Sequence, residues 1–121
     1  MPEKLLPHNH FHSIEAAKLS DCLENIQDFT VVSEIFKQLS DSSRIRIFWL
    51  LCHFEECVIN ISALVDMSSP AVSHHLRQLK SSGLIVSRRE GKEVYYKAAE
   101  TEAAQLLHRM IEKMMDLSCP K

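Results

Sequence analysis

The hydrophobic period of the chain changes at Gly83, and that change limits the folds open to it. Upstream, apolar residues recur at helical spacing. Downstream, the runs Leu84-Ile85-Val86-Ser87-Arg88-Arg89 and Val94-Tyr95-Tyr96-Lys97 flank Glu90-Gly91-Lys92-Glu93, the pattern of a hairpin turning at Gly91. With 2 Gly and 4 Pro in 121 residues, turn-forming material is too scarce for a many-stranded sandwich or barrel. The expectation is a mainly α chain with a small β-hairpin.

The helical part divides at its capping residues. Ile14, Ala17, Leu19, Leu23 and Ile26 predict a first helix from Ser13 to Gln27, with Ser13 as N-cap, and Thr30 is the expected cap of a second carrying Val31, Val32, Ile35, Phe36 and Leu39. Ser40-Asp41-Ser42-Ser43 breaks the pattern, because short side-chain oxygens compete for backbone N–H groups. Ile45, Ile47, Phe48, Trp49, Leu50, Leu51 and Phe54 are then too crowded for a one-sided surface helix, which predicts a buried central element. A loop at Glu55-Glu56-Cys57 leads to Asn60, expected to cap a short helix with Ile61, Leu64 and Val65. The helix from Pro70 to about Ser82 has Val72, Leu76 and Leu79 on one face and ends at Gly83, the readiest left-handed cap. Thr101 caps a last helix with Ala103, Leu107, Met110, Met114 and Leu117 in a stripe and Leu106 and Ile111 alongside, a surface that a second copy of the chain would cover. The order is α-α-α-α-α-β-β-α, a winged helix-turn-helix. Residues 1–12, with His8-Asn9-His10-Phe11-His12, are expected to be a flexible His-containing tail, and residues 13–121 one domain for DNA binding and dimerisation.

The formal net charge is -2, which by itself argues against nucleic acid, but the average conceals two regions. From Ser68 to Lys97 there are six bases (Arg77, Lys80, Arg88, Arg89, Lys92, Lys97) against two acids, while residues 1–41 hold three bases against seven acids. With Val72, Leu76 and Leu79 inward, Ser69, Ser73, His74, Arg77 and Gln78 face outward or flank the helix, and hydroxyls, imidazole, guanidinium and amide suit phosphates and base edges in a major groove. Arg88, Arg89 and Lys92 are the expected wing contacts. The alternative for these three is an ordinary solvated hairpin. No Gly-rich phosphate loop, HExxH or G-x-S-x-G is present, which argues against a hydrolase. No run approaches the roughly 18 apolar residues that span a bilayer, and the first residues lack a signal-peptide core. A cytoplasmic protein without a membrane partner is expected, its four cysteines reduced.

Three strings carry a resemblance. Asp41-Ser42-Ser43-Arg44-Ile45-Arg46-Ile47 looks like the D-x-x-R-x-x-I entry of the ArsR/SmtB family of bacterial repressors, Ser69 to Lys80 resembles its recognition helix, and Gly83 to Tyr96 its wing. The resemblance implies a homodimer joined through the first and last helices that leaves operator double-stranded DNA on sensing an inducer, most readily a metal ion such as Zn(II) or Cd(II).

The family's sensor positions map onto several residues. Cys57 in Glu56-Cys57-Val58-Ile59-Asn60 matches the family's L-C-V-C-D or L-C-V-G-D cysteine, and Cys22, His8, His10 and His12 would complete a thiolate and imidazole set. The alternative is buried, inert thiols. The family's last-helix site maps to Glu100, Glu102, Lys113 and Asp116, with Lys113 replacing an imidazole; His108 and Glu112, at i and i+4, are a shifted half-site to be joined by Glu102 or Asp116. A helical ion pair or a solvated His is the alternative. Relatives without metal sites sense oxidants or persulfides through two cysteines, for which Cys52 and Cys119 lie about one turn late.

Overall fold

The computed structural model describes residues 7–8 and 15–118. The elements are α1 (Glu15–Leu23), α2 (Ile26–Gln38), α3 (Ser42–His53), β1 (Glu56–Cys57), α4 (Val58–Val65), α5 (Ser69–Ser81), β2 (Ile85–Glu90), β3 (Glu93–Ala98) and α6 (Glu102–Ser118). The expected order holds, with one addition: Glu56-Cys57 is a short strand rather than loop. The chain divides into two compact units, 1–34 and 35–121. Of the tail, only Pro7 and His8 fall within the described residues, and the proposed cap Ser13 lies outside them.

In the first unit the helix boundary lies earlier than the capping argument predicts. Asn25 donates its side-chain amide to Asp28 at 2.7 Å and its carbonyl accepts from the Asp28 N–H, so the turn forms there and Ile26 starts α2. Thr30 is interior to α2, its hydroxyl donating to the Ile26 carbonyl.

The second unit is built on α3. Asp41 caps it, accepting from the Arg44 N–H at 3.0 Å, and this bond to the charged carboxylate holds its pKa below the ordinary value. Ile47, Phe48 and Leu51 are buried, together with Ile61 and Val65 of α4, Val72, Leu76 and Leu79 of α5, and Ala104, Leu107 and Ile111 of α6. α3 packs against α4, α5, α6 and β3.

Asn60 does not cap α4. Cys57 occupies the N-cap position without a side-chain bond, and the Glu56 carboxylate accepts from both the Cys57 N–H and the Asn60 amide. α4 closes on Asp66 at φ 56°, a left-handed position that a short polar side chain tolerates. Ser68 then caps α5 through the Ala71 N–H, so the helix starts at Ser69, one residue ahead of the expected Pro70. At its other end the Leu84 N–H reaches back to the Leu79 carbonyl, with Gly83 at φ +79°, the Schellman closure that places Leu84 in the core.

The sheet has the order β1-β3-β2, all antiparallel, with Glu90 opposite Glu93 and Cys57 opposite Tyr95. The hairpin loop is Gly91-Lys92, with Gly91 at φ +63°. Thr101 caps α6 as expected, accepting from the Ala104 N–H.

One polar network lies within this apolar core. Arg44 donates to Gln38 Oε1 at 3.0 Å and through Nε to His75 Nδ1 at 3.2 Å, and His75 and Gln38 are both buried. Receiving a guanidinium proton at Nδ1 requires a neutral ring. Burial, more than the neighbouring charges, lowers the His75 pKa from its ordinary 6.5. The unfolded chain therefore binds the proton more readily, and the stability this ring contributes is full above about pH 6.5 and lost as the pH falls toward the folded pKa. Thermal unfolding should show Tm falling between about pH 7 and pH 5.5, and His75→Gln should flatten that fall; an unchanged pH profile in the variant contradicts the assignment.

Candidate nucleic-acid interface and sensor residues

α5 is amphipathic. Val72, His75, Leu76 and Leu79 are buried while Ser69, His74 and Arg77 are exposed and Ser73 and Gln78 half-buried. Inward burial of one face fixes the other outward, so the short hydroxyls, imidazole, guanidinium and amide form one polar strip on a capped helix. The Ser69 hydroxyl lies 3.2 Å from that of Ser62 on α4, and Lys80 donates to Ser87 of β2 at 2.7 Å, tying the strip to both neighbours.

On the wing, Arg89 and Lys92 are exposed. Arg88 is exposed too, but its guanidinium contacts Glu55 Oε1 at 2.6 Å and Glu90 Oε2 at 2.6 Å and lies 4.8 Å from the centroid of the Tyr95 ring. The hydrogen bond from Arg88 holds the Glu55 carboxyl below its ordinary range, and those carboxylates raise the Arg88 pKa in turn. A phosphate reaching Arg88 would compete with two carboxylates, whereas Arg89 and Lys92 offer their charges outward. Sequence reasoning missed this pairing because Glu55 lies 33 residues from Arg88.

A second cluster joins α3 to α6. His108 Nε2 lies 3.3 Å from His53 Nε2, His53 Nε2 lies 3.5 Å from Glu112 Oε1, and His108 is in contact with the same Glu112 oxygen. The His53 ring lies 4.5 Å from that of Trp49, tilted by 55°, and meets His108 edge-on at 4.9 Å. The cluster borders a cleft of about 280 Å³ lined in part by Leu51, Cys52, Lys97, Ala104 and His108. It is where, among the described residues, three His, Cys, Asp or Glu donors converge within 4.8 Å.

Comparison with known proteins adds the family. Residues 41–87 match the model of the bacterial regulatory protein, arsR family. Over 101 residues the chain is 35% identical to a cadmium resistance transcriptional regulatory protein CadC homolog of Staphylococcus aureus, covering 83% of this chain and 81% of that protein. It is also 35% identical to a transcriptional repressor SmtB homolog of Synechocystis sp., over 70% of this chain and 64% of the relative. In structure it superimposes with a TM-score of 0.65 and 30% identity on a homodimeric winged helix-turn-helix DNA-binding domain from Mycobacterium bovis, covering 87% of this chain and 88% of that one. The chain belongs to the ArsR family. It is a DNA-binding transcriptional regulator and not an enzyme.

Among the described residues, the other sensor candidates do not join that cluster. Cys57 is half-buried at the start of α4, Ile59 beside it carries no donor, and the Asn60 amide is spent on Glu56. Cys22 is exposed in α1 and His8 is exposed, both in the first unit; His10, His12 and Cys119 lie outside the described residues. Glu100 pairs with Lys97 at 3.6 Å, while Glu102 and Asp116 are exposed and not among the converging donors. The shifted half-site of His108 and Glu112 therefore gains His53 rather than Glu102 or Asp116 from its own chain. His53 drew attention in the sequence only as a neighbour of Cys52; its approach to His108 spans 55 residues and left no local signal.

Burial, with a smaller push from the Glu112 charge, raises the Cys52 thiol from 9.0 to about 11. The thiolate is the nucleophile, so a raised pKa lowers the thiolate fraction of Cys52 near neutral pH. In metal-free protein near neutral pH, iodoacetamide should modify exposed Cys22 at least about tenfold faster than Cys52, as read by peptide mass spectrometry; faster loss of Cys52 contradicts this placement.

Proposed function

We propose that the chain is a cytoplasmic, homodimeric repressor that holds operator DNA through α5 and the wing and releases it when a metal ion such as Zn(II) or Cd(II) binds. The observation that carries the DNA part is the one-sided burial of α5, which turns Ser69, Ser73, His74, Arg77 and Gln78 toward the groove, with Arg89 and Lys92 reaching flanking phosphate. Arg88 joins them where phosphate displaces Glu55. A homodimer is supported by the relative from Mycobacterium bovis and by the apolar side chains that α6 leaves exposed, Leu106, Met114 and Leu117. The first helix supplies the other half of that interface.

The metal part rests on the relatives named for cadmium resistance and on donor chemistry. Cys57 with Cys22, His8, His10 and His12 is a thiolate and imidazole set of the kind that holds Zn(II) or Cd(II).

Fluorescence anisotropy with a duplex from the chain's own promoter region tests the interface. Arg77→Ala should weaken binding to that duplex by about 1–3 kcal/mol and narrow its preference over a scrambled duplex. Lys92→Ala should weaken both duplexes evenly and lower the salt slope by about one. Equal loss on both duplexes for Arg77→Ala would restrict Arg77 to phosphate contact, and full-strength binding by both variants would remove α5 and the wing from the interface.

A further inference from the structure

We propose that His53, His108 and Glu112 form a binding site for a first-row divalent transition metal ion of the Zn(II) class, which fastens the end of α3 to α6 within one chain. The geometry suits a four-coordinate ion. With metal–nitrogen and metal–oxygen bonds near 2.0–2.1 Å, tetrahedral coordination sets neighbouring ligand atoms about 3.3–3.4 Å apart. The His53 to His108 nitrogen separation is 3.3 Å and the His53 to Glu112 separation 3.5 Å; only the hydrogen-bonded His108 and Glu112 atoms need to part.

The protonation chemistry points the same way. Two imidazole Nε2 atoms and one carboxylate oxygen converge, and a neutral ring holds a single proton, carried on Nδ1 or Nε2. A cation accepts a lone pair from all three, and a neutral ring whose single proton sits on Nε2 moves it to Nδ1, staying a neutral ligand. The fourth position opens on the cleft beside Cys52 and Ala104, where a water completes the tetrahedron. Two nitrogens and one oxygen, without thiolate, form a harder set than cysteines offer, favouring Zn(II), Co(II) or Ni(II) over thiophilic ions.

The placement gives the ion a lever. α3 packs directly on α5 and on α6, so a bond between His53 and α6 fixes the orientation of the recognition helix relative to the helix bearing exposed Leu106, Met114 and Leu117. That regulatory consequence rests on the repressor reading above; occupation of the site does not.

Co(II) titration of the full chain without DNA tests occupation. The expected result is the strong visible d–d absorption of tetrahedral Co(II), persisting with little near-ultraviolet thiolate charge transfer in a Cys22→Ser, Cys57→Ser variant. His53→Gln should weaken Co(II) binding by at least the roughly 10–100-fold that even outer-shell changes cost. Glu112→Gln, at a half-exposed position that leaves the core intact, should do the same, with Tm of the metal-free variants confirming the fold. Absorption unaffected by both substitutions, or abolished by the cysteine changes alone, overturns the site. Operator affinity measured with and without Zn(II) tests the lever: the wild type should lose affinity with Zn(II) and His53→Gln should lose less. Occupation with unchanged operator affinity overturns the lever, and failure of the metal-free wild type to bind its promoter duplex overturns the repressor reading while leaving the Co(II) result to stand or fall alone.

Discussion

The apolar contact between α3 and α5 is the constraint on which the other features depend. Ile47, Phe48 and Leu51 bury against a set that includes Val72, Leu76 and Leu79, and because α5 is capped at Ser68 and closed at Gly83, its rotation about its own axis is decided by that burial. Truncating one of these leucines to alanine costs about 2–5 kcal/mol in a typical core, a large part of the stability of a small domain. The polar strip of α5 is outward because its apolar strip has nowhere else to go. Arg44 reinforces the same contact, linking Gln38 at the end of α2 to His75 on α5.

Most of the architecture is legible from local chemistry. Gly83 and Gly91 both take positive φ where the chain leaves a helix and turns a hairpin, and Asp41 and Thr101 cap as short oxygen side chains do. What the sequence does not display is pairing between distant segments. β1 is two residues long and exists because Tyr95 and Tyr96 lie beside it; nothing in Glu56-Cys57 announces a strand. Asn60 loses the cap role because Glu56 reaches both it and the Cys57 N–H, and Thr30 loses its role to the Asn25–Asp28 bond one turn earlier.

The same division runs through the candidate site residues. The outward residues of α5 follow from a 3.6-residue period and needed no tertiary information. Arg88 did need it: in sequence it is one of three wing cations, in the fold it is held between Glu55 and Glu90, while Arg89 and Lys92 are exposed. His108 and Glu112 were visible as neighbours on a helix, and His53 was not, since only the packing of α3 on α6 brings them together. The net charge of -2 likewise averages a locally basic stretch from Ser68 to Lys97 with an acidic N-terminal third of the sequence.

The proposed contact of the α5 and wing cations with DNA phosphates is tested most directly by the salt dependence of operator binding, which counts the phosphates neutralised. For the chain on its own promoter duplex, log K should fall linearly with log salt at about 0.9 per phosphate contacted, with a slope of several units for a dimer and with preference over scrambled DNA retained. A slope near zero, or equal affinity for every duplex at all salt concentrations, would contradict the account.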